Sequence, residues 1–372
     1  MPKILAFNKE RRRAAPASES SNRLAADPSA STVTRLYRNA DGALSATADI
    51  AVSVVVPTKG RPQLLDRCLA SLVLQRFEAH RFEIIVVDDG PDAGTREVVL
   101  TWSAHVADTG PDVLYIASSG PPGPAAARNI GWQAAHGDII AFTDDDTIAS
   151  ADWLKNGMAA FNDNVHAVWG KLVMPPAGTP TDCQLDAKNL ENAEFVTANC
   201  FCRKRVLEDI GGFDERFRFA WREDADLHFR LIDYSAGIVH APDAVVTHPI
   251  RPAPWGISLS QLKNIQFDAL LYKKHPALYR QKIRAKPRWD FYLTVAALLV
   301  FLVSDWEDMP ELAILAALIW LYMTGRFCLQ RLRHTSKAPL HVAEIIVTSI
   351  LIPPLTVFWR AVGAFKFRVG LI

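Results

Sequence analysis

This 372-residue chain lacks three things: a surplus of charge of either sign, a cysteine framework and an apolar N-terminal run. Lys and Arg number 41 against 40 Asp and Glu, a formal charge of +1. Without a basic surplus the electrostatic footprint of a nucleic-acid binder is missing, and no nucleic-acid partner is expected. The five cysteines, Cys68, Cys183, Cys200, Cys202 and Cys328, are odd in number and scattered, which argues against a disulfide scaffold and for a reducing compartment. Cys200 and Cys202 stand close together, but no second Cys or His pair follows at zinc spacing. Arg11, Arg12 and Arg13 run into Ala, Pro, Ser and Asp residues instead of an apolar h-region, so a secretory signal peptide is not expected. Residues 1–49 hold few large apolar side chains and no clear period. They read as a disordered basic arm, with contact to anionic lipid as the alternative use.

What the chain does have is apolar sequence. Hydrophobic residues make up 49%, at the upper end for a soluble protein, and the surplus collects after residue 290. Upstream the runs are short. Residues 50–56 end at Pro57, 82–87 end at Asp88-Asp89-Gly90, and 138–142 end at Thr143 and three aspartates. Continuous β-branched runs bounded by turn residues read as strands buried on both faces. Helix-compatible stretches at 62–74, 95–105 and 125–136 lie between them. This alternation predicts an α/β fold with a mostly parallel, Rossmann-like central sheet and ligands at the C-terminal ends of its strands. A second block offers strands at 165–174 and 198–203, a Gly211-Gly212-Phe213-Asp214 turn, a helix over 221–232, and strands over 237–248 broken at Pro242.

The sequence changes character near 289. Residues 291–304 and 312–324 are apolar, but each is shorter than the ~20 residues that span a bilayer comfortably; Trp289, Trp306 and Tyr322 extend them into the interface. The loop 305–311 is acidic and has no Lys or Arg. Lys282, Arg284, Lys286 and Arg288 precede the first segment, and Arg326, Arg331, Arg333 and Lys337 follow the second's core. By the positive-inside bias this is a hairpin, about 290–326, that enters from and returns to the cytoplasm. A third stretch, about 341–359, carries Pro353-Pro354 and is followed by Arg360, Lys366 and Arg368. Crossing would leave those cations outside, so a broken, re-entrant or interfacial segment is expected. A helical bundle buried in a soluble protein is the alternative to membrane attachment.

Chemistry concentrates at Asp144-Asp145-Asp146. Carboxylates crowded at a strand end repel one another unless a cation joins them. Hard oxygen donors suit Mg²⁺ or Mn²⁺, which take one or two carboxylates plus substrate phosphates. Residues i and i+2 of an extended chain face the same way, so Asp144 and Asp146 can share a ligand. Taken alone, such a cluster is more often a solvated acidic turn. His248, just after a strand candidate, is a further metal ligand or a satisfied structural histidine. Gly211-Gly212 reads as a turn that shapes the acceptor side. Trp221 reads as a platform for a sugar face or as core packing.

Five segments in order give the cluster its context: Val-Val-Val-Pro-Thr-Lys-Gly-Arg at 54–61, Ile-Val-Val-Asp-Asp-Gly at 85–90, Gly-Pro-Ala-Ala-Ala-Arg-Asn-Ile-Gly at 123–131, Gly-Gly-Phe-Asp-Glu-Arg-Phe at 211–217, and Glu-Asp-Ala-Asp-Leu-His-Phe-Arg-Leu at 223–231. In this order they resemble the inverting family 2 glycosyltransferases of GT-A fold. The resemblance covers residues 50–250 and implies a donor half at 50–150 and an acceptor half at 151–250. Linker helices at 251–288 and membrane-associated helices at 289–372 would follow. It implies that Pro57, Thr58 and Arg61 meet the nucleotide, that Asp89, with Asp88, binds the base, and that Arg128 touches the donor. Asp144 and Asp146 take the metal, Asp146 most directly, and Asp145 either joins the donor site or holds the turn. Asp224 is the catalytic base, with Glu223 as its alternative; His228 and Arg230 read as scaffold or acceptor contacts.

The chemistry asks for the same parts. A departing nucleoside diphosphate gathers negative charge that a divalent cation absorbs. The attacking hydroxyl must lose a proton to a carboxylate within reach. One base without a second nucleophile gives single displacement and inversion, with the metal in the place of a glycosidase's general acid. Two departures narrow the reading. Arg288-Trp289 lacks the upstream Gln of the Gln-x-x-Arg-Trp motif of processive synthases, which argues against polymerisation. Lys59-Gly60 replaces a common Tyr-Asn pair, which leaves UDP-, GDP- and dTDP-sugars all open as donors. The expected enzyme moves a sugar to a lipid-linked or surface-glycan acceptor at the cytoplasmic face of a membrane. A sugar nucleotidyltransferase is the alternative, although its Gly-rich signature loop is missing. A catalytically inactive glycan- or lipid-binding scaffold is the other, although Asp144, Asp146 and Asp224 are intact.

Overall fold

The structure, a computed structural model, describes residues 50–175 and 178–370; the N-terminal arm expected at 1–49 lies outside the described residues. Strand and helix alternate from the start: β1 (Val52–Thr58), α1 (Pro62–Val73), β2 (Phe82–Asp88), α2 (Ala93–His105), β3 (Asp112–Ala117), α3 (Pro124–Ala134) and β4 (Ile139–Phe142). Then come β5 (Ile148–Ala149), α4 (Trp153–Ala159), β6 (Ala167–Val173), α5 (Asp182–Lys188), β7 (Cys200–Arg203), α6 (Lys204–Ile210), α7 (Glu223–Asp233) and β8 (Ile238–Thr247). Among the described residues these strands form one eight-stranded sheet in the order β3-β2-β1-β4-β7-β6-β8-β5.

The first four strands are parallel, as the apolar runs predict. The rest of the sheet is mixed: β7 runs antiparallel to β4 and β6, β8 parallel to β6, and β5 antiparallel to β8. Every residue of β1 is buried. Val52, Val54 and Val56 join one cluster with Leu65, Leu69 and Leu72 of α1, while Val55 joins Ala127 and Trp132 of α3 on the opposite face. Helix α1 follows from Pro62 in its first turn and from buried residues 65, 68, 69 and 72 at helical spacing. Helix α3 sits so close that a Cβ on Gly131 would lie 2.3 Å from Val55 Cγ1 and 3.2 Å from Val87 Cγ2. Gly131→Ala should therefore destabilise the fold by about 1–3 kcal/mol through overpacking, read as a lower midpoint of thermal unfolding.

Three strands differ from expectation, the two-residue β5 among them. The proline in β8 does not break it; the strand runs through Pro242, and its pairing with β6 shifts register beyond Gly170. A bulge of this kind absorbs the missing N–H. β3 was not among the expected strands.

The chain leaves β1 outward to β2 and β3, then returns to β4 on the other side of β1. At such a switch point the crossovers part and a crevice opens at the strands' C-terminal ends. Thr58 and the Thr143–Thr147 turn stand there.

Beyond the sheet, α8 (Ile257–Gln261), α9 (Gln266–Lys274) and the single turn α10 (Pro276–Leu278) lead to α11 (Trp289–Trp306), α12 (Pro310–Leu332) and α13 (Pro339–Phe367). Among the described residues these last three are the helices long and apolar enough to cross a membrane. α11 and α12 pack as a hairpin around the 307–309 turn. The break expected at Pro353-Pro354 is not there: α13 is one helix of 29 residues with both prolines inside it. Neighbours hold it along its length. Glu344 accepts from Gly256 N–H at 2.7 Å, Ile352 packs with Leu262 and Phe291, and Lys366 donates to Gln266 Oε1 at 3.0 Å. α13 thus lies along α8 and α9 from one end to the other.

Candidate active site

The turn after β4 spreads the three aspartates in different directions. Thr143 Oγ1 donates to Ala198 O at 3.0 Å, and Thr147 Oγ1 donates to Asp144 O at 2.7 Å. Asp144 Oδ1 lies 2.8 Å from Arg128 Nη2. Asp146 Oδ1 lies 3.4 Å from His248 Nε2, and Oδ2 lies 3.1 Å from Arg251 Nε and 3.9 Å from Arg61 Nη1. His248 is fixed at the end of β8 by its own N–H, which donates to Val173 O at 2.8 Å. Ligand atoms of Asp144, Asp146 and His248 all fall within 4.8 Å of one another. Asp146 Oδ2 and His248 Nδ1 are buried and make no hydrogen bond. Two carboxylates and an imidazole suit a small divalent cation, and a cation would satisfy buried polar atoms that make no hydrogen bond.

Asp145 faces away from this set. Its carboxylate is fully buried, accepts from Thr58 Oγ1 at 2.7 Å and pairs with Arg61 Nη2 at 2.7 Å. Burial pushes its carboxyl up to about 6 although both partners pull it down. Asp145 thus holds the turn through Thr58 and Arg61. Asp88 is also buried and accepts from Gly90 N–H and Asp92 N–H at 3.2 Å each and from Tyr115 OH at 3.0 Å. Asp89 accepts from Gly123 N–H at 3.0 Å and from Lys59 Nζ at 3.1 Å, at the mouth of α3. Pro57 and Thr58 close β1 beside the Asp145 turn.

Arg128 is the buried centre of the crevice. One guanidinium nitrogen holds Asp144, and another reaches Glu223 Oε1 at 3.3 Å. Glu223 and Asp224 open α7, where the helix dipole favours carboxylates. Burial and the Asp224 charge push the Glu223 carboxyl up to about 7, against the pull of Arg128. Burial also raises Asp224, and the Ala225 N–H, which donates to Oδ1 at 2.6 Å, pulls it back. Asp224 is the more exposed of the two.

Gly211 caps α6 at φ +77°, and Gly212 follows at φ +61°. A Cβ on Gly212 would lie 2.6 Å from Asn129 Oδ1, so the turn docks directly on α3. Arg230 holds the Ile210 and Gly212 carbonyls, and His228 stacks on Phe195 with its imidazole pushed down to about 4 by burial. Both are scaffold. Trp221 is half-buried and donates from Nε1 to Asp268 Oδ1 at 3.0 Å.

Asp268 was not among the expected site residues. It also accepts from Arg222 Nε at 2.7 Å and Tyr279 OH at 3.2 Å, and so clamps the loop that precedes Glu223. Arg251, three residues beyond His248, was missed as well.

Sheet, crevice and buried arginine together define a GT-A glycosyltransferase domain. Residues 53–210 match the family described as Glycosyl transferase family 2, so the chain carries a domain of that family. It is 29% identical over 214 residues to glycosyltransferase AglE of Haloferax volcanii, across 54% of this chain and 67% of that protein. It is also 29% identical over 216 residues to the pre-mycofactocin glycosyltransferase of Mycobacterium tuberculosis, across 54% of this chain but only 43% of that one. Among solved structures, mannosyltransferase PcManGT from Pyrobaculum calidifontis in complex with GDP-Man and Mn²⁺ shares the fold, with a TM-score of 0.50 at 18% identity over 85% of this chain and 86% of that chain.

Proposed function

We propose that this enzyme moves one sugar from a UDP-, GDP- or dTDP-sugar to a glycan acceptor carried by a membrane lipid, with inversion by single displacement. The observation that carries the reading is the Asp144–Arg128–Glu223 bridge, which ties the cation-binding carboxylates to the acidic start of α7. The GDP-Man and Mn²⁺ bound by PcManGT support a nucleotide-sugar and a divalent cation here too. Asp144, Asp146 and His248 would hold Mg²⁺ or Mn²⁺. That ion supplies Lewis-acid relief of the charge gathering on the diphosphate.

The chain's own residues do the rest. Arg61, Arg128 and Arg251 stand around the carboxylates and offset the donor's negative charge. Asp224 takes the proton of the acceptor hydroxyl as its oxygen bonds to the anomeric carbon; the bond from that carbon to phosphate breaks, and its electron pair leaves with the nucleoside diphosphate. Asp224 Oδ1 is occupied by the Ala225 N–H, which leaves Oδ2 for the proton. A carboxyl raised by burial is the better proton acceptor. Glu223 keeps Arg128 in place.

The α11–α12 hairpin crosses the bilayer and α13 lies in the interface. Arg331 near the end of α12 pairs with Asp182 of the catalytic domain at 2.8 Å, so the cation-rich ends of the hairpin lie on the catalytic side. The positive-inside bias then puts the catalytic domain in the cytoplasm. A panel of nucleotide sugars with Mn²⁺ tests the activity. Release of nucleoside diphosphate is expected. Pyrophosphate instead would make the chain a nucleotidyltransferase, and neither product would make it a binding scaffold.

A further inference from the structure

A cavity of about 660 Å³ lies away from Asp144, between the catalytic domain and the hairpin. That is within the roughly 300–1,000 Å³ of small-molecule sites. Its walls differ in kind. Asp186 and Asn189 from the α5 region and Gln261 from α8 present acid and amide groups. Ser258 adds a buried hydroxyl that makes no hydrogen bond. Trp221, three residues ahead of Asp224, brings an indole to the same space. The opposite wall comes from helices able to cross a membrane: Phe327 of α12 and Ile352 of α13 are its apolar part, beside Arg331 at the end of α12.

Charge decides what such a cavity accepts. Two basic side chains line it, Arg331 and His334, and the guanidinium of Arg331 is spent. Nε and Nη2 lie 3.1 and 2.8 Å from Asp182 Oδ2, and Nη1 donates to Thr348 Oγ1 at 2.7 Å and Ser349 Oγ at 3.1 Å. Asp182 and Asp186 both face the cavity, and burial beside Asp182 raises the Asp186 carboxyl. Asp182 is matched by Arg331, but Asp186 has no ion-pair partner among the described residues, and a phosphate would be repelled by its carboxylate here. Sugar hydroxyls would not: they donate to acids and amides, and a pyranose face stacks on indole.

We infer that this cavity is the acceptor site, and that it takes the uncharged sugar headgroup of a membrane-anchored glycolipid. Asp186, Asn189 and Gln261 receive its hydroxyls, Trp221 one of its faces, and Phe327 and Ile352 its first lipid carbons. The inference rests on the proposed transferase reading and deepens it. The sugar enters from the bilayer side and reaches toward the start of α7, where Asp224 waits.

Photolabelling tests this on the full chain in lipid nanodiscs. The probes are octyl β-glucoside, octyl β-galactoside and octyl β-mannoside, each with a diazirine on the alkyl carbons next to the sugar, and labelled peptides are mapped by mass spectrometry. With at least one probe, label is expected at Trp221, 258–265 or Phe327. Unlabelled octyl glycoside should displace it, and the free sugar and citronellyl phosphate should not. Label confined to the lipid-facing sides of α11 and α12, or no label from any probe, overturns the proposal. Displacement by citronellyl phosphate would assign the cavity to an anionic lipid, and equal displacement by free sugar to a soluble glycan; either also overturns it. Trp221→Ala and the cavity-filling Ile352→Trp should each cut cavity labelling about tenfold. Full labelling in both counts against the assignment, and the map on the unaltered chain stands whether or not either variant folds. Labelling needs no nucleotide sugar. Cavity labelling without nucleoside diphosphate release would refute the transferase reading alone, and the reverse would refute the cavity alone.

Discussion

Asp224→Asn should abolish sugar transfer while the nucleotide sugar still binds. The substitution keeps the size of the side chain and an oxygen for the Ala225 N–H, so the first turn of α7 should hold. What it loses is the ability to take a proton. A positioned base is worth about 10²–10⁴-fold in rate, and the loss should fall in kcat, with the donor Kd little changed. Single-turnover transfer and donor titration measure the two separately. Turnover retained in Asp224→Asn but lost in Glu223→Gln would move the base one residue back. The pH profile bears on the same question. A base must be ionised to act, and both carboxyls are raised, Glu223 to about 7. Transfer should therefore decline as pH falls through a value above the ordinary carboxylate range. If Glu223 is the base, that decline should centre near 7.

The parts of this molecule that were legible in sequence are those where local pattern and global position agree. β1, β2 and β4 sit in the sheet's interior and are covered on both faces, so their sequences are unbroken apolar runs. β3 is an edge strand, begins at an exposed Asp112 and is only partly covered, so no such run announces it. The two-residue period separates Asp144 and Asp146, which converge with His248, from Asp145, which turns to Thr58 and Arg61. It could not show that Asp88 accepts from its own turn, because that depends on the Gly90 and Asp92 N–H groups pointing back. Asp268 is 46 residues from Arg222 and belongs to no motif; only the packing of α9 beside α7's entry loop gives it a role. Pro353-Pro354 misled in the opposite direction. Proline weakens an isolated helix, but α13 is held on α8, α9 and the hairpin, and that packing outweighs the local preference.

Asp146→Ala should remove the metal dependence of donor binding. Its side chain is 3% exposed and lies among His248, Arg251 and Arg61, so the substitution deletes one carboxylate and leaves three groups that faced it. Partners one shell away from a metal are worth about 10–100-fold in its affinity, so loss of a direct ligand should cost at least about 100-fold. The sign of the residual effect is informative. Arg251, released from Asp146, becomes free to meet the diphosphate directly, while Arg61 stays paired with Asp145. Donor affinity in EDTA should therefore hold or rise, while affinity in Mn²⁺ falls to meet it. Titrations of the nucleotide sugar with Mn²⁺ and with EDTA, on Asp146→Ala and the unaltered chain, give the four numbers needed. Asp145→Ala separates the two kinds of aspartate in the cluster. It should lower thermal stability, because Arg61 and Thr58 lose their buried acceptor, yet leave the difference between Mn²⁺ and EDTA in place. An undiminished Mn²⁺ effect in Asp146→Ala would place the cation elsewhere and detach it from the Arg128 bridge on which the proposed mechanism stands.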